Sequence, residues 1–420
     1  MKIIVCALLL FLYPFHSTPP IGNPRYDFAD SLIARSGNVY GYLDKRMETL
    51  CISGYPEECG IYQDSIYGLR KREMINSAAY EVEDARQYIL RKADKYRVIL
   101  INESHSSPEH RLFTKSLLPA LYKKGYQVFM AEGIWPGNQL DKHHYPVSTD
   151  GAYLNEPNYG QLIRYAFKTG YQVKSYEYES KPGWDDSIKL DQYGSIKYLS
   201  YDPPDSMTVM VKPDGEREFY FTLSREKGQA ANIYKVMQAN PRSKFIIHVG
   251  HGHLYKDGTM MASHLMALLG NEAILCIDQS FFYRDKVIDS QTKAVVDPGG
   301  PFVLKNRKNG LYCYAHYSVD AMMFNTTPKD SLYRPGYLFK DVEPRIVYPI
   351  PASELESSPC VFTAYYTAEL KAQQERAIAV DVICVKDRQQ APPLLLYKGD
   401  YTIVKKNRQG VYSTFSTTIR

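Results

Sequence analysis

The chain has 420 residues, 44% hydrophobic and 23% charged, with 26 Gly and 25 Pro; that mix excludes a disordered, collagenous or polytopic membrane protein. The length calls for two or three folding units rather than one core. The formal net charge is +5, spread without a basic stripe, which argues against a nucleic-acid binder.

Taken in chain order, Met1 and Lys2 precede an apolar run to Phe15, broken by Ser17-Thr18-Pro19-Pro20. A run of that length behind one positive charge reads as an export signal, residues 1–17, and the mature chain is expected to be periplasmic or secreted. No later run is long enough to span a bilayer, so no transmembrane span is expected once the leader is removed. Cys51 and Cys59 bracket the turn-rich ISGYPEE, a loop that an exported chain can close as a disulfide. No C-x-x-C occurs. Cys276 and Cys384 sit in apolar runs and read as buried thiols.

Residues 18–95 read as a mostly helical lead-in, with the strongest helical spacing over 77–96. The pattern then changes to alternating strands and helices. Strands are expected at 97–101, 127–131, 172–178, 244–249 and 273–278. Between them come helices at 108–124, 158–169, 225–239 and 259–269, and 180–222 read as an insertion or lid. Short apolar strands joined through helices predict an α/β fold with a mainly parallel sheet flanked by helices, over 96–285. Residues 286–420 form a β-rich C-terminal region, with strands in 377–385 and 394–404 and a helix in 368–376.

Of the 10 His, eight lie between His105 and His264. Open α/β sheets bind ligands at the carboxyl ends of their strands, and here those ends carry acids and imidazoles. Glu103 and His105 follow the first strand, Glu132 the second, Glu177 and Glu179 the third, His251 and His253 the fourth, and Asp278 the fifth. Glu103-x-His105 and His251-x-His253 each place two side chains on one face of an extended segment. Two imidazoles with a carboxylate hold a catalytic divalent metal with an open position, and Glu103, His105, His251 and His253 are the candidate ligands. The same residues without metal run acid–base hydrolysis, one histidine activating water while a glutamate orients its ring.

His110, on the following helix, is a candidate cofactor-binding group. His248 lies on the parity of Ile246 and reads as a packed core residue, and His143-His144 reads as surface. Arg225, heading a helix, has the planar fork that grips a carboxylate or phosphate. No G-x-S-x-G, P-loop, H-E-x-x-H or G-x-G-x-x-G is present, which disfavours serine esterases, nucleotide hydrolases and nicotinamide enzymes.

Ile99-Leu100-Ile101-Asn102-Glu103-Ser104-His105 with Pro108 and His110 resembles the G-E-x-H-x-x-P-x-H opening of the ChaN-type haem-binding lipoproteins. More loosely, it is similar to the erythromycin esterase and Tiki metalloprotease branches of the same superfamily. Glu132, Arg225-Glu226 with Gln229-Ala230, and Gly250-His251-Gly252-His253 resemble its later elements in the right order, and the match spans about 96–280. Asn102 stands where the motif has glycine, and Gln229 where it has methionine. The esterases space Glu and His one residue further apart, and no lipoprotein cysteine is in place.

The resemblance implies an α/β core with a site built from Glu103, His105, Glu132, Arg225, His251 and His253, in hydrolases or haem binders. The expectation is an exported hydrolase acting on an ester or amide of a small molecule or peptide. His105 or His251 is the base, and Arg225 steadies an anionic group or the oxyanion. A haem- or metal-binding protein of iron acquisition without turnover is the alternative, and a glycan- or protein-binding module the second.

Overall fold

Val98-Ile99-Leu100-Ile101-Asn102-Glu103 is buried at every position, so this strand has protein on both faces. Its alternation sorts the core. Ile99 and Ile101 pack with the helices Pro108–Lys123 and Pro157–Thr169, while Val98 and Leu100 pack with Thr222–Ala239 and Met261–Leu269. The computed structural model describes residues 21–35, 49–51, 53–55, 72–178, 207–211, 217–256, 260–270, 273–282, 286–314, 318–325, 329–356 and 359–420. The leader at 1–17, Cys59 with the Cys51–Cys59 pairing, Glu179 and most of 180–222 lie outside them.

Eight strands form the main sheet: β1 (Tyr80–Asp84), β2 (Val98–Glu103), β3 (Tyr126–Ala131), β4 (Gln172–Lys174), β5 (Lys244–Gly250), β6 (Ile274–Phe282), β7 (Phe302–Asn306) and β8 (Ala321–Phe324). Their spatial order is β1-β7-β8-β6-β2-β5-β3-β4. From β8 to β4 every pairing is parallel, and only the contacts of β7 are antiparallel. The fold is therefore α/β, with a large, mostly parallel sheet between helices. The helices, in chain order, are α1 (Ala85–Lys92), α2 (Pro108–Lys123), α3 (Pro157–Thr169), α4 (Thr222–Ala239) and α5 (Met261–Leu269). The chain leaves β2 for β3 and later returns β5 into the gap between them, then sets β6 on the other side of β2. That reversal makes the carboxyl end of β2 the topological switch point, where open α/β sheets take their ligands.

Three of the eight strands, β1, β7 and β8, lie outside 96–285. The helix expected over 77–96 is shorter than its periodicity suggested. Residues 80–84 pair with Phe302–Asn306 instead, and Asp84 caps α1 by accepting from Gln87 N–H at 2.7 Å. A strand partner more than two hundred residues away overrides local helical spacing.

At the C-terminus, Cys360–Tyr366, Asp381–Val385, Gly399–Asn407 and Tyr412–Ile419 form a four-stranded antiparallel sheet, with α6 (Thr367–Gln373) beside it. The C-terminal region around it is tied to the helices of the core by buried ion pairs. Lys115 of α2 reaches Asp341 at 2.9 Å and the Tyr397 hydroxyl at 3.2 Å, and Arg164 of α3 reaches Glu369 at 2.6 Å. Among the described residues, no helix is long and apolar enough to cross a membrane.

Candidate active site

The strand ends converge as their sequence positions imply. Glu103 closes β2 and is buried, and each of its oxygens takes two donors. Oε1 accepts from Arg111 Nη2 at 2.8 Å and faces His105 Nδ1 at 3.0 Å. Oε2 accepts from Arg111 Nε at 2.7 Å and faces His248 Nε2 at 2.8 Å. Burial alone would raise the Glu103 pKa, but the Arg111 guanidinium, then His248, reverse this and hold it well below the carboxylate range. Glu103 is thus an ionised acceptor, which places a proton on His105 Nδ1.

The far edge of the His105 ring, Cε1 and Nε2, comes up against Gly250 at the end of β5. A Cβ on Gly250 would sit 2.7 Å from His105 Nε2 and 2.5 Å from Glu132 Oε2. His105 and Glu132 therefore approach one point, and only glycine leaves it open. His105 also stacks on Tyr153 at 3.9 Å between centroids and meets His251 edge-on at 5.0 Å.

Glu132, after β3, accepts from Arg225 Nη2 at 2.9 Å and from Gly250 N–H. Burial would raise its pKa, yet His253, ahead of His105 and Arg225, brings it well below the usual range. His253 lies between two acids, with Nδ1 2.6 Å from Glu226 and Nε2 3.5 Å from Glu132. Burial opposes its charge, but these two carboxylates push its pKa up to about 10. It is an imidazolium at neutral pH, with Arg225 Nη1 a like-charged neighbour at 3.2 Å. Glu226 also accepts from Met261 N–H at 2.6 Å, at the start of α5.

Arg225 holds Glu177 as well, at 3.1 Å, and Glu177 takes Gly133 N–H at 2.9 Å and Gln229 Nε2 at 3.0 Å. About a third of the Arg225 side chain, 35%, is exposed. His251 is exposed at the rim while its inner side is crowded. That partial burial, with His105 beside it, lowers its pKa.

Two expectations change here. Residues 251–254 form a 3-10 turn rather than an extended segment, so His251 and His253 part, one toward His105 and the other toward Glu132 and Glu226. His110 is fully buried; its Nδ1 accepts from Ser104 N–H at 3.0 Å, and burial first of all depresses its pKa to about 3. It is a neutral brace behind the site rather than a group facing a cofactor.

Of the candidate metal ligands Glu103, His105, His251 and His253, the first and the last have their donor atoms turned toward other side chains. The Glu103 lone pairs are occupied by Arg111, His105 and His248, and the nitrogens of His253 face carboxylates. Among the described residues, no group of three or more His, Cys, Asp or Glu is arranged to hold an ion.

Sequence reasoning missed Arg111 and Glu156. Arg111 is wholly buried and bridges Glu103 to Glu156, 2.9 Å from the latter, over the Tyr159 ring at 4.7 Å. Glu156 meanwhile caps α3 through Asn158 and Tyr159 N–H. The available signal was helical phase: Arg111, Thr114, Lys115 and Leu118 share one stripe of α2, and all are buried. His248 is buried as expected, but as a second partner of Glu103, with Thr114 on its other nitrogen at 3.2 Å.

No protein-family model and no curated protein matches the sequence. Among solved structures, the one titled "The structure of the type III effector HopBA1" aligns with 59% of this chain and 99% of its own length. At 10% identity and a TM-score of 0.29, that likeness carries no argument.

Proposed function

We propose that the chain is a hydrolase of esters or amides in which His105, oriented by Glu103, activates water. The observation that carries this reading is the wiring of His105. One nitrogen is fixed on a buried, ionised carboxylate, and the other is held beside Gly250 on a side chain that keeps 18% of its surface exposed. This is the arrangement of an oriented general base. His105 Nε2 takes a proton from water as its oxygen attacks the carbonyl carbon. The tetrahedral oxyanion then gathers charge beside Arg225, and His105 returns the proton to the leaving oxygen or nitrogen as the bond to carbon breaks. His251, uncharged at neutral pH, stands edge-on to His105 and lines the substrate side. The motif resemblance around Glu103, His105, Glu132 and Gly250-His251-Gly252-His253 supports the same class.

The test uses the purified chain with p-nitrophenyl esters and the matching anilides. His105→Ala is expected to lower turnover by at least about a thousandfold, in the range of general-base loss, while stability falls by about 1 kcal/mol, the size of one hydrogen bond. Retained turnover in His105→Ala sinks the reading. So does a stoichiometric metal lost with His251→Ala, or a Soret band on adding haem without any hydrolysis.

A further inference from the structure

We infer that Asn102 is the positioning residue for His251, fixing its ring against His105; the inference rests on the hydrolase reading for its meaning, but not for its geometry. Asn102 is completely buried one residue before Glu103, on the central strand β2. Its Nδ2 lies 2.7 Å from the His251 carbonyl oxygen, 2.8 Å from Asp278 Oδ1 and 2.8 Å from Ser280 Oγ. Its Oδ1 accepts from Gln279 N–H at 2.8 Å. An amide nitrogen has two protons. The carbonyl and the carboxylate can only accept, so they take both, and Ser280 turns its own proton to Asp278 Oδ1 at 3.1 Å.

This places one side chain across three strands: β5, which delivers His251; β2; and β6, which delivers Asp278. Asp278 then closes the far end of the same turn, its Oδ2 accepting from the Tyr255 hydroxyl at 3.1 Å. The turn from His251 to Tyr255 is gripped at both ends by the Asn102–Asp278 pair.

The grip has strain to hold. His251 has φ of +36°, a backbone conformation that residues other than glycine adopt only when their surroundings over-determine it. The hydrogen bond from Asn102 falls on the carbonyl of that same residue. Aspartate at 102 has no proton to give and would oppose Asp278, and leucine would leave the carbonyl without its donor. Asparagine is the side chain of this size that donates to both acceptors while accepting from Gln279.

Three variants of the full chain test this. In Asn102→Ala, amide exchange at Gly252 to Leu254 should quicken at least about tenfold while Leu100 in β2 stays protected. The His251 Cε1–H NMR resonance should shift as the ring leaves its place beside His105. On p-nitrophenyl acetate, kcat/KM should fall about a hundredfold, the cost of a small misplacement of a reacting group. Asn102→Asp should behave alike.

Asn102→Asp with Asp278→Asn restores an amide–carboxylate pair between the two positions but gives the His251 carbonyl no donor from residue 102. It should keep both the β2 protection and the displaced His251 resonance. Wild-type exchange and resonance in Asn102→Ala overturn the inference, as does recovery of the His251 resonance in the double variant. If the unaltered chain does not cleave the ester, the hydrolase reading fails, while exchange and resonance still decide the role of Asn102.

Discussion

Glu103 and Glu132 are both buried at strand ends and both held well below the usual carboxylate range, yet they are held by different means. The Glu103 half is sealed: Arg111 has 0% side-chain exposure and is shared with Glu156. The Glu132 half is open, its charge met by His253 and by an Arg225 that keeps 35% of its side chain in solvent. A sealed pair fixes geometry, because removing one partner strands a charge without water. An open pair can change partners when a substrate arrives. The first half is built to hold an imidazole still, and the second to respond to charge.

The largest expected effect separates the halves by stability. Arg111→Met leaves Glu103 and Glu156 buried without their cation and should cost about 3–5 kcal/mol in urea unfolding. Arg225→Met, partly solvated, should cost about 1 kcal/mol while lowering turnover by about a hundredfold or more. Equal losses of stability would erase the distinction.

Gly250 lies where the halves touch. Gly250→Ala drives a methyl into both His105 and Glu132, so about 1–3 kcal/mol of overpacking should come with about a hundredfold fall in kcat/KM. Parallel loss in His105→Ala/Gly250→Ala and in Gly250→Ala alone would place the damage in packing rather than in the base.

The most gradual effects appear in pH. His110, in the sealed half, is pushed down to about 3, below its ordinary value near 6.5. The unfolded chain therefore binds its proton first, and stability falls as pH drops below about 6.5. His253, in the open half, is raised to about 10; its contribution is complete below about 6.5 and is lost as pH rises through 10. Urea midpoints between pH 5 and 10 should show both limbs, each with a slope up to about 1.4 kcal/mol per unit. His110→Asn should flatten the acid limb and His253→Asn the alkaline one.

Much of this is legible in the amino-acid sequence. Buried strands announce themselves as unbroken apolar runs, and an acid or imidazole closing such a run has little structural reason to be there. That logic located Glu103, His105, Glu132, His251 and His253. Arg111 escapes it, because a cation in a helix that also carries Lys115 and Lys123 reads as solvent-facing until the phase of the apolar stripe is followed. It lost β1, whose partner lies more than two hundred residues along the chain, where no local pattern reaches. The 3-10 turn at 251–254 was hidden for another reason: Gly-His-Gly-His is compatible with several backbones, and the bond from Asn102 selects among them. Position along a strand is local information; the partner of a buried charge is not.

Lys115 bears on how this chain can be divided. Its ammonium is sealed between Asp341 at 2.9 Å and the Tyr397 ring at 4.5 Å, one turn along α2 from Arg111. A chain cut after the parallel sheet would lose both Asp341 and Tyr397 and open to water the face of α2 that they cover, on the helix that orients Glu103. The C-terminal sheet is therefore not a removable accessory. In domain shuffling or expression of fragments, only a unit that keeps this tail keeps the Lys115–Asp341 pair beneath the His105 site.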